Sequence, residues 1–415
     1  MSSQASADTR AGVNPGFYKW VIVAMGWSAM VCTFVDRLTW GSVALQASHS
    51  LSLPLIALGV FVTAFFSGYT VANILGGFIL DRIGARSMVA ISLVILGGLT
   101  FSFSLTTSLA MGIVIQALMG MAAGVDTSAS VKLVTAWFGM YGRGKAIGFL
   151  LTSTPCSVMI TNAIVPRLLQ AYGWQTVYEI LGVTTALFGV ICFLLIRNGP
   201  VIERGHFITR EELRNLVTNR RFVLMILAGF GGYWAYWGFA FLVNAMMVKQ
   251  YGLSPVIAGS IVFWFGFTSL FSKPIVGIVS DMLGKRQAVM IVVMAAYGLM
   301  VLSFAFLSGR MALTLGAAAM GFFSIAWSPL LNANAAEACG KHQAGTSVGI
   351  ANGLWQFSSV VSPSAAWVVY QSTHSFAIPF IFLACGPLVS TIALFWVRDL
   401  KPQEDEMALP ERRRA

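Results

Sequence analysis

The chain has 415 residues, of which 57% are apolar and only 10% are charged, and its formal net charge is +11. A soluble globular chain carries roughly 25% charged residues, so this composition excludes an ordinary soluble domain, and the mean hydropathy of +0.79 agrees. Long apolar runs recur along the whole sequence. Each is long enough to cross a bilayer core of about 30 Å as a helix.

The apolar runs favour helices over a closed barrel, the other structure that satisfies every backbone hydrogen bond in lipid. Barrel strands are ~10 residues long and alternate in polarity, whereas these runs are longer and apolar all round. The sequence therefore predicts an all-α integral membrane protein with twelve transmembrane helices in two six-helix halves. The predicted spans are residues 17–44, 55–80, 86–106, 109–137, 145–171, 174–196, 221–249, 256–280, 287–308, 311–337, 346–371 and 376–398.

A polar segment in the middle of the sequence separates the two predicted bundles. The predicted regions are a cytoplasmic N-terminal tail (1–16), an N-terminal six-helix bundle (17–196), a cytoplasmic central loop (197–220), a C-terminal six-helix bundle (221–398) and a cytoplasmic C-terminal tail (399–415). The first tail is polar and short, and it lacks the features of a signal peptide. The central loop is too short to form a catalytic domain.

Lysine and arginine residues are concentrated on one predicted side of the membrane. Six of the 26 basic residues lie within spans or toward the other side, and the remaining 20 lie beside the connections after even-numbered spans or in the tails. This asymmetry predicts cytoplasmic termini in a multi-pass plasma-membrane protein, in the inner membrane of a bacterium. The net charge then reflects topology and anionic lipid, and we expect no nucleic-acid partner because no basic soluble domain is predicted.

The sequence predicts no enzyme, metal site or cofactor. The five cysteines are scattered without a CxxC pair, so packing is their expected role. No Walker loop, HExxH or GxSxG pattern occurs in the sequence. These are patterns by which a chain would cradle a nucleotide, bind zinc or present a nucleophilic serine.

A duplicated motif marks corresponding places in the two halves. It runs Gly77-Phe-Ile-Leu-Asp81-Arg82-Ile-Gly84-Ala-Arg86 after the second span and Gly277-Ile-Val-Ser-Asp281-Met-Leu-Gly284-Lys-Arg286 after the eighth, at an offset of 200. The first glycine of each copy is expected to let helices approach closely, and the second to permit a tight turn. The acids are expected to cap a helix or pair with arginine. We interpret the pair as a conformational latch, with a plain loop anchor as the alternative.

This motif resembles the signature of the major facilitator superfamily of transporters, and the resemblance covers nearly the whole chain. The first half also resembles the anion:cation symporter family, and the eighth span is similar to the monocarboxylate transporters and the oxalate:formate antiporter. The residues that carry these two resemblances are Phe34-Val-Asp36-Arg37-Leu-Thr-Trp, Lys132-Leu-Val-Thr-Ala-Trp137-Phe138, Arg143-Gly-Lys-Ala146-Ile-Gly148 and Ser272-Lys273-Pro274-Ile-Val-Gly277.

The resemblance implies a monomer whose halves rock about a cavity lined by the first, fourth, seventh and tenth spans. In the relatives with the eighth-span motif, an arginine at the position of Lys273 binds the substrate carboxylate. The anion:cation symporter pattern is incomplete here. Gln116 and Lys132 stand where that family has arginine, and Ala123 stands where it has glutamate, with Asp126 one turn beyond.

Charged residues inside the predicted spans are functional candidates, because a charge at bilayer depth costs several kcal/mol unless it is paired or hydrated. Arg37 is the first candidate for the substrate carboxylate, since a guanidinium binds carboxylate bidentately, and an ion pair with Asp36 or Asp126 is its alternative role. Lys273 is the second candidate, with snorkelling to the interface as its alternative. For Lys132, snorkelling to the interface is expected as much as a functional role.

Two carboxylates are candidates for proton coupling, which needs a group that is protonated in one state and ionised in another. Asp126 lies near mid-membrane, and Asp36 is favoured by the family resemblance. Asp36 and Arg37 are adjacent, so they point about 100° apart on the helix and cannot both face one partner. The alternative role of either acid is to neutralise Arg37 or Lys273 without carrying a proton. Glu179, near the outer end of its span, is expected to be structural.

Neutral side chains are further candidates for the cavity, with hydrogen bonding between helices as the alternative role. Asn352 and Gln356 are four residues apart and so share one helix face. If two or three aromatic residues face the cavity, they suit an apolar or aromatic acid. The candidate substrate-binding residues are Arg37, Lys273, Tyr233, Trp237, Asn332, Asn352, Trp355 and Gln356; Asn244, Asn334, Trp234, Tyr236 and Phe357 are noted beside them.

The function that these features favour is secondary active transport. We predict proton-coupled symport of a small organic anion, a mono- or aromatic carboxylate, by alternating access, with protons and membrane lipid as the other partners. Organic anion exchange is the first alternative, because it needs no coupling acid. Proton-driven efflux of cations is disfavoured because cations are at least as numerous as acids in the spans. A non-transporting membrane sensor is the alternative from another class.

Overall fold

The computed structural model describes residues 15–53, 56–138, 143–197, 199, 214, 218–337, 344–375 and 377–397. Within these ranges the regular elements are helices: α1 (Pro15–Ser50), α2 (Ile56–Ile83), α3 (Ala85–Phe103), α4 (Leu109–Gly124), α5 (Asp126–Trp137), α6 (Arg143–Leu150), α7 (Ser153–Leu195), α8 (Arg220–Tyr251), α9 (Pro255–Leu283), α10 (Arg286–Phe304), α11 (Arg310–Ser324), α12 (Ser328–Glu337), α13 (Ala344–Thr373) and α14 (Ala377–Phe395). The predicted tails and most of the predicted central loop lie outside the described residues.

These helices make twelve crossings. Nine stretches within the described residues are long and apolar enough to span a membrane. The longest of them, Arg143–Leu195, makes two crossings because the chain turns back at Gly173, whose φ is +83°. The helices α2 and α13 make the remaining two. The two predicted six-helix halves are therefore α1–α7 and α8–α14.

The fourth and tenth crossings are each broken into two helices, although the sequence predicted one uninterrupted span for each. The first break is at Val125, between α4 and α5, and the second begins at Ile325, between α11 and α12. The two breaks are 200 residues apart, as are the two copies of the motif. The two halves are therefore interrupted at corresponding positions, although the second break is longer, from Ile325 to Trp327.

The turns after α2 and α9 confirm the predicted role of the second glycine in each motif. Gly84 has a φ of +85° and Gly284 a φ of +60°, a conformation that only glycine adopts without strain. We call the membrane face that carries these two turns and the start of α1 the basic face, because Arg82, Lys285 and Arg286 lie on it. The opposite face is called the far face.

The two halves are in close contact toward the far face. A Cβ added to Gly259 of α9 would lie 2.5 Å from the Asn162 carbonyl of α7, and one added to Gly59 of α2 would lie 2.7 Å from Ser364 of α13. The Thr63 hydroxyl of α2 also donates to the Val360 carbonyl at 2.8 Å. Backbones that approach this closely leave no passage between these helix pairs.

Toward the basic face of the membrane, the same sides of α9 and α13 no longer contact the other half. Gly277 lies 18 residues after Gly259, five full turns of α9, and Gly353 lies 11 residues before Ser364, close to three turns of α13. A Cβ on Gly277 or Gly353 would meet nothing within 4 Å. A cleft between the halves therefore opens toward the basic face. The expected close helix approach at Gly277 is not present in this conformation, because Gly277 lies where the halves are apart.

Candidate functional site

Arg37 lies at the boundary between the halves, enclosed by aromatic rings from both. The centre of its guanidinium is 3.9 Å from the Trp237 ring of α8 and 4.1 Å from the Phe66 ring of α2. The Tyr69 ring lies 4.9 Å away, and the Tyr69 hydroxyl accepts a hydrogen bond from the guanidinium. Aromatic faces stabilise a cation through their quadrupoles, which permits a guanidinium to be buried without an acid.

Arg37 keeps unused hydrogen-bonding capacity in this cage. The residue is 3% exposed, and its Nε and Nη2 atoms have no hydrogen-bond partner. Buried donors without partners are rare in native proteins and call for an explanation. A carboxylate that reached this position would accept from both nitrogens at once, in the bidentate geometry that guanidinium favours.

Asp36 points into the N-terminal half and away from the cleft, as its position next to Arg37 on the helix predicted. Its Oδ2 accepts a hydrogen bond from the Thr100 hydroxyl of α3 at 3.2 Å, and Thr185 of α7 lies beside it. The residue is 2% exposed, and its Oδ1 has no partner. The alternative in which Asp36 only neutralises Arg37 does not hold in this structure.

Asp126 is also enclosed within the N-terminal half, at the break between α4 and α5. It is 1% exposed. The Thr33 hydroxyl of α1 donates to one oxygen at 2.9 Å, and the Ser130 hydroxyl donates to the other at 3.4 Å. Cys32 lies close to both Asp36 and Asp126. The two acids therefore belong to one polar region inside the N-terminal half.

Lys273 faces the cleft from the C-terminal half. It follows Gly266 by seven residues on α9, so it lies on nearly the same helix face as the glycine that packs against Met159 of α7. Its side chain is half-buried. Within the described ranges, neither Lys273 nor Arg37 forms an ion pair with an acidic side chain.

The vertical separation of the two cations can be estimated from ring contacts. Tyr236, next to Trp237, packs against Phe265 of α9 at 5.6 Å. Lys273 is eight residues further along α9, about 12 Å toward the basic face at 1.5 Å per residue. Helical Cα–Cβ bonds tilt toward the helix N-terminus, which for α9 is at the far face, so the Lys273 side chain leaves the helix in the direction of the Arg37 level.

Several of the predicted neutral residues lie between these cations. The Trp237 indole donates to the Gln356 side chain of α13 at 3.2 Å. The Asn352 amide donates to Asn332 of α12 at 2.8 Å, and Tyr233 packs on Trp327 at 5.2 Å. Helices α8, α12 and α13 thus present a wall of aromatic and amide groups on the C-terminal side of the cleft.

Trp355 does not belong to this wall, although the sequence suggested it as a substrate-binding residue. Its side chain is fully buried, and its indole donates to the Met225 carbonyl of α8 at 3.1 Å. A Cβ on Gly229 would lie 2.2 Å from the indole ring, so the glycine makes room for it. Trp355 is a packing residue here because it points to the back of α13, and Phe357 is exposed at 51% on the outer surface.

The described parts of the latch motif contact the ends of neighbouring helices. Arg86 donates to the Phe193 carbonyl at 2.8 Å near the end of α7, and Arg286 donates to the Asn334 side chain of α12 at 3.3 Å. Asp281 is exposed. The side chain of Asp81 and the surroundings of Gly77 lie outside what the structure describes, so the latch role of the motif stays a prediction.

The sequence did not single out Phe66, Tyr69 or Asn162, which the structure brings to the boundary between the halves. Phe66 and Tyr69 form the cage around Arg37, and their spacing of three residues on an aromatic-rich α2 is the signal that could have indicated them. Asn162 of α7 accepts a hydrogen bond from the Asn244 amide of α8 at 2.9 Å, across the boundary between the halves. Nothing in the local sequence pairs these two asparagines.

A protein-family model described as Major Facilitator Superfamily matches residues 25–363 and 225–413. The probable galactarate/D-glucarate transporter of Bacillus subtilis is 21% identical over 417 residues, which cover 90% of each chain. A probable galactarate/D-glucarate transporter of Escherichia coli is 21% identical over 93% of this chain and 96% of its own. The hexuronate transporter of Bacillus subtilis is 25% identical over 41% of each chain.

The fold is similar to that of a solved transporter. A bacterial homologue of the human lysosomal transporter Spinster, in an inward-facing and unoccupied conformation, superposes with a TM-score of 0.77. The match covers 92% of this chain and 97% of that chain at 12% sequence identity. At this identity the likeness supports the fold alone.

Proposed function

Since the chain belongs to the Major Facilitator Superfamily, in agreement with the predicted twelve-helix fold and with a transporter rather than an enzyme, we propose that it moves a small organic anion together with a proton by alternating access. The observation that carries the proposal is the Arg37 guanidinium. It is buried at the boundary of the halves, two of its nitrogens are unpartnered, and aromatic rings surround it.

The proposed orientation places the basic face in the cytoplasm of a bacterium. The distribution of lysine and arginine supports this through the positive-inside rule, and it makes the present conformation inward-open. The described termini of the helical body then both lie on the cytoplasmic side. No partner chain is needed for this arrangement, and we propose a monomer.

The proposed substrates are small mono- or aromatic carboxylates, with hydroxylated sugar acids as a second class. The aromatic cage supports the first class. The second is favoured by the relatives, whose names refer to galactarate, D-glucarate and hexuronate. Amide groups of Asn332, Asn352 and Gln356 along the cleft could hydrogen bond to hydroxyl groups of such an acid.

Arg37 is proposed to bind the carboxylate, and Lys273 to attract it into the cleft and to bind a second carboxylate where the acid has one. Asp36 and Asp126 are proposed to carry the coupling proton. Both are enclosed and have no cation partner in the described residues, so loading a proton onto either removes an uncompensated buried charge. Carrying a proton with an anion also reduces the net charge that crosses the membrane.

Uptake into proteoliposomes tests this function. A panel of radiolabelled acids, including benzoate, D-gluconate and D-glucarate, is offered with and without an inward-directed proton gradient. Gradient-dependent accumulation of at least one acid is expected. Accumulation driven only by anion preloaded inside would replace symport with exchange. Absence of transport of every acid by a folded protein would overturn the organic-anion assignment.

A further inference from the structure

A second cavity lies at the far face, between helix ends from both halves. It has a volume of about 660 Å³, within the range of about 300–1,000 Å³ that holds small organic ligands. Its polar lining includes Ser42, Gln46, His49, Gln170, Asn244 and Lys249. The rest of its lining is mostly apolar. We call this cavity the outer vestibule.

The outer vestibule is separate from the cage around Arg37. Just inside it, a Cβ on Gly41 of α1 would lie 3.2 Å from the Ala240 carbonyl of α8, so these helices are in contact. The Asn244 amide donates to Asn162 at 2.9 Å and to Ser42 at 3.3 Å. These contacts form a floor, one helical turn beyond Arg37, that closes the vestibule toward the cleft.

The charge of the outer vestibule favours an anion. Lys249 is exposed, and its ammonium group lies 5.2 Å from the Tyr370 ring, which borders it on one side. None of the described residues that line the vestibule is acidic. A carboxylate entering from the far face would therefore meet a lysine with no competing acid among the lining residues.

The floor of the vestibule carries an unused acceptor. Asn244 is 6% exposed. Its amide nitrogen donates hydrogen bonds to Asn162 and Ser42, and its Oδ1 has no hydrogen-bond partner. A buried acceptor without a partner costs about 1–3 kcal/mol. Asn244 lines the vestibule, but its Oδ1 is itself covered in this conformation. A ligand hydroxyl becomes its donor when the amide turns toward the cavity, and the apolar walls suit the carbon chain of such a ligand.

We propose that the outer vestibule is a second binding site, for a hydroxylated carboxylic acid, occupied from the far face while the central site is closed to that side. The carboxylate binds Lys249 and a hydroxyl group donates to Asn244. The inference rests on the proposed function only in taking this acid to be of the transported class. Because Asn244 also joins the two halves, the bound acid contacts the group that must separate when the far face opens.

Equilibrium binding to the purified full-length protein tests the proposal, with radiolabelled D-gluconate and D-glucarate as probes. Two sites per chain are expected. Lys249→Gln should weaken one of them about tenfold and leave the other unchanged, and the neutral polyol D-glucitol should compete at neither. Arg310→Gln is the matched control, since Arg310 is an exposed cation near the same face but outside the vestibule.

The variants separate this inference from the central site. Arg37→Gln should remove the other site and leave the one that depends on Lys249. If Arg37→Gln removes the only saturable site and Lys249→Gln changes nothing, the vestibule is not a binding site, while the central assignment stands. If only Lys249→Gln acts, the vestibule site stands and the central one is wrong. Absence of saturable binding of either acid to the wild-type protein overturns the vestibule proposal.

Discussion

The interior of the N-terminal half and the boundary between the halves carry opposite, separated charges. Asp36 and Asp126 are held by hydroxyl groups inside the first bundle, whereas Arg37 and Lys273 lie at the boundary. A buried ion without a partner is costly, so acids and cations in one membrane interior are expected to pair. Here the acids are held by hydroxyl groups instead, and Arg37 by aromatic rings. In the proposed function the boundary binds the anion, and the enclosed acids of the interior take up the proton.

The largest effect is expected from removing the cation at the boundary. Arg37→Gln loses two charge-assisted hydrogen bonds to a bound carboxylate, together about 3 kcal/mol or more, so the dissociation constant at the central site should rise roughly 100-fold. Equilibrium binding to the purified protein measures this. Arg167→Gln is the control in the same half, because Arg167 donates to the Ala163 carbonyl of its own helix. Unchanged affinity in Arg37→Gln would contradict the role of the boundary cation.

The next effect is expected from neutralising the acids in the interior. For one proton per anion, each pH unit can support accumulation of about tenfold. The double variant Asp36→Asn with Asp126→Asn should lose this gradient-driven accumulation, because no enclosed carboxylate remains to take up the proton. Uptake with an imposed pH gradient measures it, and Glu179→Gln is the control, since Glu179 is only partly buried and lies near the far-face end of the same bundle. Full accumulation by the double variant would place proton coupling elsewhere.

A smaller effect is expected at Gly277, where the two halves must come together when the cleft closes. Gly277 has free space in this conformation, but its helix face meets the other half when the basic face closes. Gly277→Leu should leave the thermal stability unchanged and slow the maximal transport rate several-fold. Gly98→Leu is the control, because Gly98 also has open space but lies exposed within α3 in one half. Equal rates in the two variants would mean that the cleft does not close at Gly277.

The smallest effect is expected at the contact between the halves near the far face. Thr63→Val removes hydrogen bonds to Val360 and Ser364 of α13, about 1 kcal/mol of contact energy. The far-face-open population should rise roughly fivefold. The measurement is labelling of a cysteine introduced at the buried position Val62 by a membrane-impermeant thiol reagent. Thr70→Val is the control, since its hydroxyl bonds within α2, and equal labelling of both would contradict the expectation.

Much of the architecture could be predicted from the sequence because long apolar helices and basic loops follow from the bilayer itself. The turns at Gly84 and Gly284 were predicted because the motif repeats and only glycine accepts positive φ there. That Asp36 and Arg37 face different partners was predicted from helix geometry alone, because adjacent residues point about 100° apart. These features depend on local sequence, so no knowledge of helix packing was required.

The remaining features depend on how helices pack, which local sequence does not specify. Trp355 and Trp237 are both tryptophans at mid-helix, yet one fills the space beside Gly229 and the other stacks on Arg37. The cage residues Phe66 and Tyr69 come from a helix that the sequence linked only to the latch motif. The break at Val125 was missed because the run from Leu109 to Trp137 is apolar throughout most of its length.

Exchange without any gradient separates the boundary from the interior most directly. Counterflow of the acid that the wild-type protein transports best is measured in proteoliposomes at equal pH on both sides, since exchange of anion for anion needs Arg37 but no net proton movement. Arg37→Gln is expected to abolish counterflow, and the double variant Asp36→Asn with Asp126→Asn is expected to retain it. Retained counterflow in Arg37→Gln, or its loss in the folded double variant, would mean that anion binding and proton coupling are not divided between the boundary and the interior.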